Sequence, residues 1–302
     1  MMKRIESWLC VILLCAATPA LAQSEYSMRG ATNARDLELP TEPSPIAAAT
    51  LPRMALFKPD GAGPFPALVL LHQCGGLRSG NGRWQNMSML DWAREAVGRG
   101  YVVLLLDALE QRGADTLCKG PKNDVFPSRG IRDALQAAAH VRSLPYVDPR
   151  RVAYAGYSWG AGVGLAVSSR QSAQTLGIAE RYNAVVSFYP PCVYNPKTGA
   201  PYTTILKGID SPLLVLLGGK DTETPPNECS DRLKPAQEAG EPVHWHLYSE
   251  ATHCWDCKNL HGFKKVDAFR GADVEYLYDE AVTRDSAKRM FEFIEKAFAN
   301  RK

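Results

Sequence analysis

Three residues far apart in the chain, Ser158, Asp221 and His253, have the types and the local settings to do chemistry together. Ser158 is the centre of Gly156-Tyr157-Ser158-Trp159-Gly160, with the apolar run Val152 to Ala155 before it and Gly162-Val163-Gly164-Leu165-Ala166 after it. A G-x-S-x-G junction between a strand-like and a helix-like run holds serine on a tight, strained turn with its hydroxyl exposed. A lone hydroxyl is a poor nucleophile because its proton must leave as the oxygen attacks. His253 is expected to take that proton as general base and to return it to the leaving group as general acid. Asp221 is expected to fix the histidine tautomer and to stabilise the imidazolium. The chain order nucleophile, acid, histidine suits this division of labour. Backbone N–H groups of Cys74 and Trp159 are the expected donors to the tetrahedral oxyanion, where losing one donor typically costs roughly 3 kcal/mol of barrier.

Each assignment has a rival. Ser158 could serve as a helix N-cap, and Asp221 could cap the turn Lys220-Asp221-Thr222. Asp107, at the end of an apolar run, is the alternative acid, but it precedes the nucleophile. His261 competes with His253, which is favoured because it follows a strand within a short turn and adjoins Cys254 and Cys257. A C-x-x-C pair can be redox-active, and His253, Cys254, Cys257 and His261 supply four zinc-ligand types, although without the separated pairs usual in structural zinc sites. A small disulfide loop holding His253 in register is the favoured reading. Cys74 with Cys118, and Cys192 with Cys229, are the other expected bridges. Cys74 as nucleophile would lack the turn that presents Ser158. Gln73, Trp84, Tyr157 and Trp255 are expected to line the substrate pocket. Arg78, Arg83 and Arg112 are either carboxylate-recognition residues or solvated loop arginines.

These residues need a sheet whose strands end together. Apolar runs at Phe65 to His72, Tyr101 to Asp107, Val152 to Ala155, Ala184 to Tyr189 and Leu213 to Leu217 read as strands of a covered sheet, with Val243 to Tyr248 as a last strand, a shorter one in Arg53 to Lys58 and another at Asp36 to Leu39. Helical spacing marks Trp84 to Val97, Arg129 to Ser143, Cys229 to Glu238 and a C-terminal helix through Ala287, Met290, Phe291, Ile294 and Phe298. Alternation of this kind predicts an α/β fold, a mostly parallel sheet of about seven or eight strands with helices on both faces. In such sheets the loops beyond the carboxyl ends of strands build the ligand site. Four of these loops carry Gln73-Cys74, Ser158, Asp221 and His253.

At 302 residues and 45% hydrophobic, the chain suits one large domain, expected over 51–302, preceded by an extended arm over 23–50. Lys3 and Arg4 before the apolar run Trp8 to Ala17, and the small residues to Ala22, read as a secretory signal over 1–22, too short for a membrane span of about 20 residues. A secreted or periplasmic location follows. Removing that segment lowers the formal charge from +3 to +2, which suggests no nucleic-acid partner. The six cysteines left, Cys74, Cys118, Cys192, Cys229, Cys254 and Cys257, are an even number in an exported chain and predict disulfides.

LVLLHQCGG around Cys74, the GYSWG turn, LLGGKDTETP around Asp221, YSEATHCWD around His253 and the tail YLYDEAVTRDSAKRMFEFI together resemble the dienelactone hydrolase family of α/β-hydrolases, from about Arg53 to Phe298. The resemblance implies the α/β-hydrolase fold, with nucleophile Ser158, acid Asp221, base His253 and oxyanion donors on the backbone of Cys74 and Trp159. It also prefers His253 over His261. The founding members carry cysteine at the position of Ser158 and glutamate at that of Gln73, where it controls the thiol's protonation. Serine needs no such switch, so the two replacements agree with each other. The expected function is a serine-dependent hydrolase of small carboxylic esters or lactones acting through an acyl-enzyme, with neither metal nor organic cofactor. A peptidase or acyltransferase with the same triad, or a non-catalytic binding module, are the alternatives.

Overall fold

The computed structural model describes residues 30–195 and 201–300. The expected signal, residues 1–22, and the first part of the expected arm lie outside the described residues. The strands are β1 (Ala55–Phe57), β2 (Phe65–Leu71), β3 (Val102–Leu106), β4 (Val147–Tyr157), β5 (Ala184–Phe188), β6 (Val193–Tyr194), β7 (Tyr202–Thr203), β8 (Leu213–Gly218), β9 (Val243–Tyr248), β10 (Phe263–Val266) and β11 (Asp273–Tyr276). Seven of them form one sheet in the order β1-β3-β2-β4-β5-β8-β9. Edge strand β1 runs antiparallel to β3, and the other pairs are parallel. The expected α/β-hydrolase fold is therefore present.

The central strands β2, β3, β5 and β8 are almost wholly apolar because the sheet is covered twice, whereas edge strand β9 is buried only at Val243. Ala67, Val69 and Leu71 of β2 point into one core, and Leu68 and Leu70 into the other. In β4, Val152 and Tyr154 face the first core while Ala153, Ala155 and Tyr157 face the second. Helices α1 (Met87–Gly98), α2 (Pro127–Arg142), α3 (Trp159–Val167), α4 (Arg170–Leu176), α5 (Pro226–Glu238) and α6 (Glu280–Ala299) supply the covering layers. Residues of α1 and α6, among them Met89, Leu90, Phe291 and Ile294, close the second core, and Ile131, Leu135 and Val163 from α2 and α3 close the first. From β2 the chain crosses to β3 on one side, and β4 lies on β2's other side. That reversal opens a crevice above the carboxyl ends of β2 and β4.

Two differences from the expected elements have clear causes. Residues Asp36 to Leu39 form no strand; the backbone N–H and carbonyl of Glu38 pair instead with the Gln111 side chain at 2.9 and 2.8 Å. The arm is held by buried arginines as well. Arg129 donates to the carbonyls of Ala31 (3.2 Å) and Ala34 (2.8 Å), and Arg112 donates to that of Arg35 (2.7 Å). The hairpin β10–β11 was not expected, because Phe263-Lys264-Lys265-Val266 is mostly exposed and has no apolar run.

Arg112 and Arg129 share the carboxylate of Asp133, and all three side chains are at most 2% exposed. Removing that carboxylate leaves buried Arg112 without its counter-charge and Arg129 with only the exposed carboxylate of Asp36, at 2.7 Å. Asp133→Ala should therefore lower stability by about 3–5 kcal/mol in urea unfolding, whereas Glu292→Ala, which breaks an exposed pair with Lys288 on α6, should cost about 0.5 kcal/mol or less.

Candidate active site

Ser158 follows β4 directly and opens α3 with φ 50° and ψ −112°, a left-handed conformation that side chains rarely adopt. Neighbouring strands hold it there. The Ser158 N–H donates to the Phe188 carbonyl at the end of β5 (3.0 Å), and the Gly160 N–H donates to the His72 carbonyl beyond β2 (3.2 Å). A Cβ on Gly156 would come within 2.2 Å of the Gly160 carbonyl oxygen, and one on Gly160 within 2.4 Å of that of Leu71. Both glycines are thus demanded by close approach.

Asp221 and His253 come from the loops after β8 and β9, which lie against each other. The Gly219 N–H donates to the Tyr248 carbonyl (2.8 Å) and that of Lys220 to the Ala251 carbonyl (2.9 Å). Asp221 Oδ1 accepts from the N–H groups of Glu223 (2.9 Å) and Thr224 (2.8 Å), and Oδ2 from the Thr224 hydroxyl (2.7 Å). Oδ2 also accepts from His253 Nδ1 at 2.7 Å, and His253 Nε2 lies 3.0 Å from Ser158 Oγ. The carboxylate on Nδ1 places the ring proton there and leaves the Nε2 lone pair facing the hydroxyl. The three expected side chains therefore meet, each at most 5% exposed. Trp159 is the first residue of α3, where an N–H has no intrahelical partner, and Cys74 follows β2 two residues beyond His72.

The rivals lie elsewhere or serve otherwise. Asp107 Oδ1 accepts from the N–H groups of Leu109 (2.8 Å) and Glu110 (3.1 Å) after β3. His261 is exposed and accepts from the Tyr278 N–H at 3.1 Å. Disulfides join Cys74 to Cys118, Cys192 to Cys229 and Cys254 to Cys257. Cys254, Asp256 and Cys257 present ligand-type atoms within 4.8 Å of one another, but sulfurs joined in a disulfide lack the negative charge of a zinc thiolate. The four residues weighed for zinc are accordingly divided among a triad, a disulfide and the surface.

One carboxylate escaped the sequence analysis. Glu223 Oε2 is 3.8 Å from His253 Nε2, and it accepts from the Tyr276 hydroxyl at 2.7 Å, while Oε1 accepts from Lys265 Nζ at 2.8 Å. Burial pushes the Glu223 carboxyl up, but His253 and Lys265 more than offset it and hold the group below its ordinary range. Burial likewise opposes charge on His253, yet Asp221 and Glu223 keep the imidazole above the ordinary histidine value. The position two residues past Asp221 was a signal, but the partners Lys265 and Tyr276 lie on the unexpected hairpin.

Beneath the triad, Gln73 accepts from the Asn86 amide and donates to the Tyr189 hydroxyl (3.2 Å), which donates to Asp256 Oδ1 (2.7 Å); Trp92 Nε1 donates to Oδ2 (2.7 Å). Burial raises the Asp256 carboxyl in spite of these donors. Gln73 and Trp84 line a hollow beside Ser158. Tyr157 and Trp255 do not, and both are fully buried. As the last residue of β4, Tyr157 follows Ala153 and Ala155 into the second core and stacks on Phe188 at 4.6 Å. Trp255 packs edge-on against Tyr189 at 4.8 Å in the same core. Arg112 is paired with Asp133, Arg78 with Glu110, and Arg83 is exposed; none lines either hollow that opens on Ser158.

Residues 53–298 match the family model described as the dienelactone hydrolase family. No curated protein matches the chain. Among solved structures, a protein from Klebsiella pneumoniae subsp. pneumoniae MGH 78578 designated a dienelactone hydrolase is 17% identical, with a TM-score of 0.57 over 78% of this chain and 89% of that one. The propionate-bound esterase Est2 of Thermogutta terrifontis is 16% identical, with a TM-score of 0.56 over 80% of this chain and 88% of that one. The dienelactone hydrolase-like promiscuous phosphotriesterase P91 from metagenomic libraries is 17% identical, with a TM-score of 0.52 over 78% and 88%. At these identities the structures share the fold.

The turn that presents Ser158 can be tested by volume. Gly156→Ala should cost about 3 kcal/mol or more in chemical unfolding, since its Cβ meets backbone that cannot give way. Gly98→Ala, at the end of α1 where a Cβ meets nothing within 4 Å, should be neutral or stabilise by up to about 1 kcal/mol.

Proposed function

The chain belongs to the dienelactone hydrolase family, and on that premise we propose that it is an exported serine hydrolase of small carboxylic esters or lactones, working through an acyl-enzyme. One observation carries the reading: a single imidazole lies within hydrogen-bonding distance of both Ser158 Oγ and Asp221 Oδ2. Ser158 Oγ attacks the carbonyl carbon as its proton passes to His253 Nε2. The oxyanion is held by the backbone N–H groups of Cys74 and Trp159. The carbon–oxygen bond to the alcohol breaks, and the alkoxy oxygen takes the proton from Nε2. Water then attacks the acyl-enzyme, gives a proton to His253 and releases the acid as Ser158 Oγ recovers it. Asp221 holds the ring in register and stabilises the imidazolium, and Glu223 adds a second negative charge on the Nε2 side.

The proposed export rests on the leader-like residues 1–22 and on the disulfides, which persist in oxidising compartments. No helix among the described residues is long and apolar enough to cross a membrane. The propionate bound in the Thermogutta esterase supports a carboxylic acyl group for this chain.

Ser158 is expected to be the residue that a fluorophosphonate labels, and Ser158→Ala should lower kcat on a short-chain ester by roughly 100,000-fold while leaving the unfolding midpoint near wild type. Labelling of any other residue, or activity retained in Ser158→Ala, rules the mechanism out. Protonating His253 removes the base, so kcat/KM should fall on the acid side with an apparent pKa above that of an ordinary histidine. Glu223→Gln takes away one of the two charges that raise it and leaves Lys265 unneutralised, so the acid limb should move to lower pH. A limb that stays in place or moves up would count against that role.

A further inference from the structure

Two hollows open on Ser158. The larger, about 400 Å³, is lined by His253, Cys254, Cys257, Trp84, Leu260 and Phe263, among others. The smaller, about 80 Å³, is walled by Trp159, Pro127, Val193, Tyr194 and Thr224, among others. Of their lining residues only Ser158, Cys74 and Cys118 are shared, so the Cys74–Cys118 bridge is the ridge between them. Resting on the acyl-enzyme reading, the tetrahedral carbon on Ser158 Oγ carries an acyl chain and an alkoxy oxygen as well as the oxyanion. The alkoxy oxygen must reach His253 Nε2 to be protonated. His253 lines the larger hollow and not the smaller. The alcohol therefore belongs in the larger one, and the acyl chain is left with the narrow one.

We propose that the substrate is an open-chain ester of a short, slim acid with a bulky, neutral and largely apolar alcohol. Sulfur, aromatic and aliphatic groups dominate the alcohol side. Lys265 and Asp115, the cation and the anion lining it, are already paired with Glu223 at 2.8 Å and Lys122 at 2.6 Å, so nothing there calls for a charged leaving group. Open-chain esters hold their acyl and alkoxy chains on opposite sides of the ester bond, which lets them straddle the ridge. A small lactone ties both chains to the same side, so both would have to share one hollow. A lactone thus fits this site less well than an ester of the same atoms drawn out.

Reversed isomers test the assignment, because they differ little in intrinsic reactivity. For the purified, disulfide-bonded protein, kcat/KM for naphthylethyl acetate should exceed that for methyl naphthylpropanoate by roughly tenfold or more, and γ-butyrolactone should be opened more slowly than either. Leu260→Trp should lower the ratio by slowing the acetate, and Val193→Ala should lower it by speeding the reversed ester. A ratio below tenfold, or faster opening of the lactone, in protein whose Ser158 takes a fluorophosphonate overturns the substrate assignment and leaves the acyl-enzyme reading standing. Protein that takes no label and turns over none of the three compounds overturns that reading and this assignment together.

Discussion

Everything at the site depends on one buried imidazole whose two nitrogens must face different loops at once. Nδ1 is turned to the carboxylate after β8 and Nε2 to the hydroxyl after β4, at 2.7 and 3.0 Å. Neither contact is local in sequence, so the ring's orientation is set by the sheet. Strand order β4-β5-β8-β9 spaces the loops, and Gly218 and Gly219 let the acid loop lie against the histidine loop, where a Cβ would meet the Ala251 and Ser249 carbonyl oxygens at 2.7 and 2.3 Å. A strained serine, with φ 50°, persists because hydrogen bonds to the ends of β5 and β2 over-determine its turn.

The charges around that ring are arranged in two tiers. Asp221 and Glu223 flank it, and each has its remaining acceptor capacity filled, by the Glu223 and Thr224 N–H groups in one case and by Lys265 and Tyr276 in the other. Filled in this way, neither carboxylate is free to swing onto the serine. Below them Asn86, Gln73, Tyr189, Asp256 and Trp92 form a chain of donors and acceptors. A neutral amide at Gln73 suits this chain, since it donates to Tyr189 and accepts from Asn86, a pairing that an ionised carboxylate could not make in both directions.

The sheet was legible in the sequence because its central parallel strands are written as nearly unbroken apolar runs, and the loops beyond its strands carry Ser158, Asp221 and His253. Leu213 to Leu217 and the Ser158 turn are read with little error, the one because its apolar run is unbroken and the other because its flanking glycines are demanded by close approach. Hairpin β10–β11 was illegible because Lys264, Lys265 and Val266 show no burial pattern, and with it went the partners of Glu223. Tyr157 and Trp255 were misread as pocket residues because aromatic type and nearness to the site do not tell which way a side chain points. For Tyr157 the strand's two-residue alternation, carried one step further, supplies the answer.

The arm ahead of the family match has a consequence for where this protein begins as a folding unit. The match starts at residue 53, yet Arg129, 1% exposed, finds acceptors on Ala31 and Ala34, and Arg112 finds one on Arg35. Charges sealed inside the shared domain are thus solvated by peptide carbonyls that the family's common extent does not include. A chain trimmed to the family boundary would keep every residue of the triad and still leave guanidinium protons in the interior with nothing to receive them. The boundary drawn by kinship and the boundary drawn by electrostatics differ here by some twenty residues, about the distance from Ala31 to residue 53.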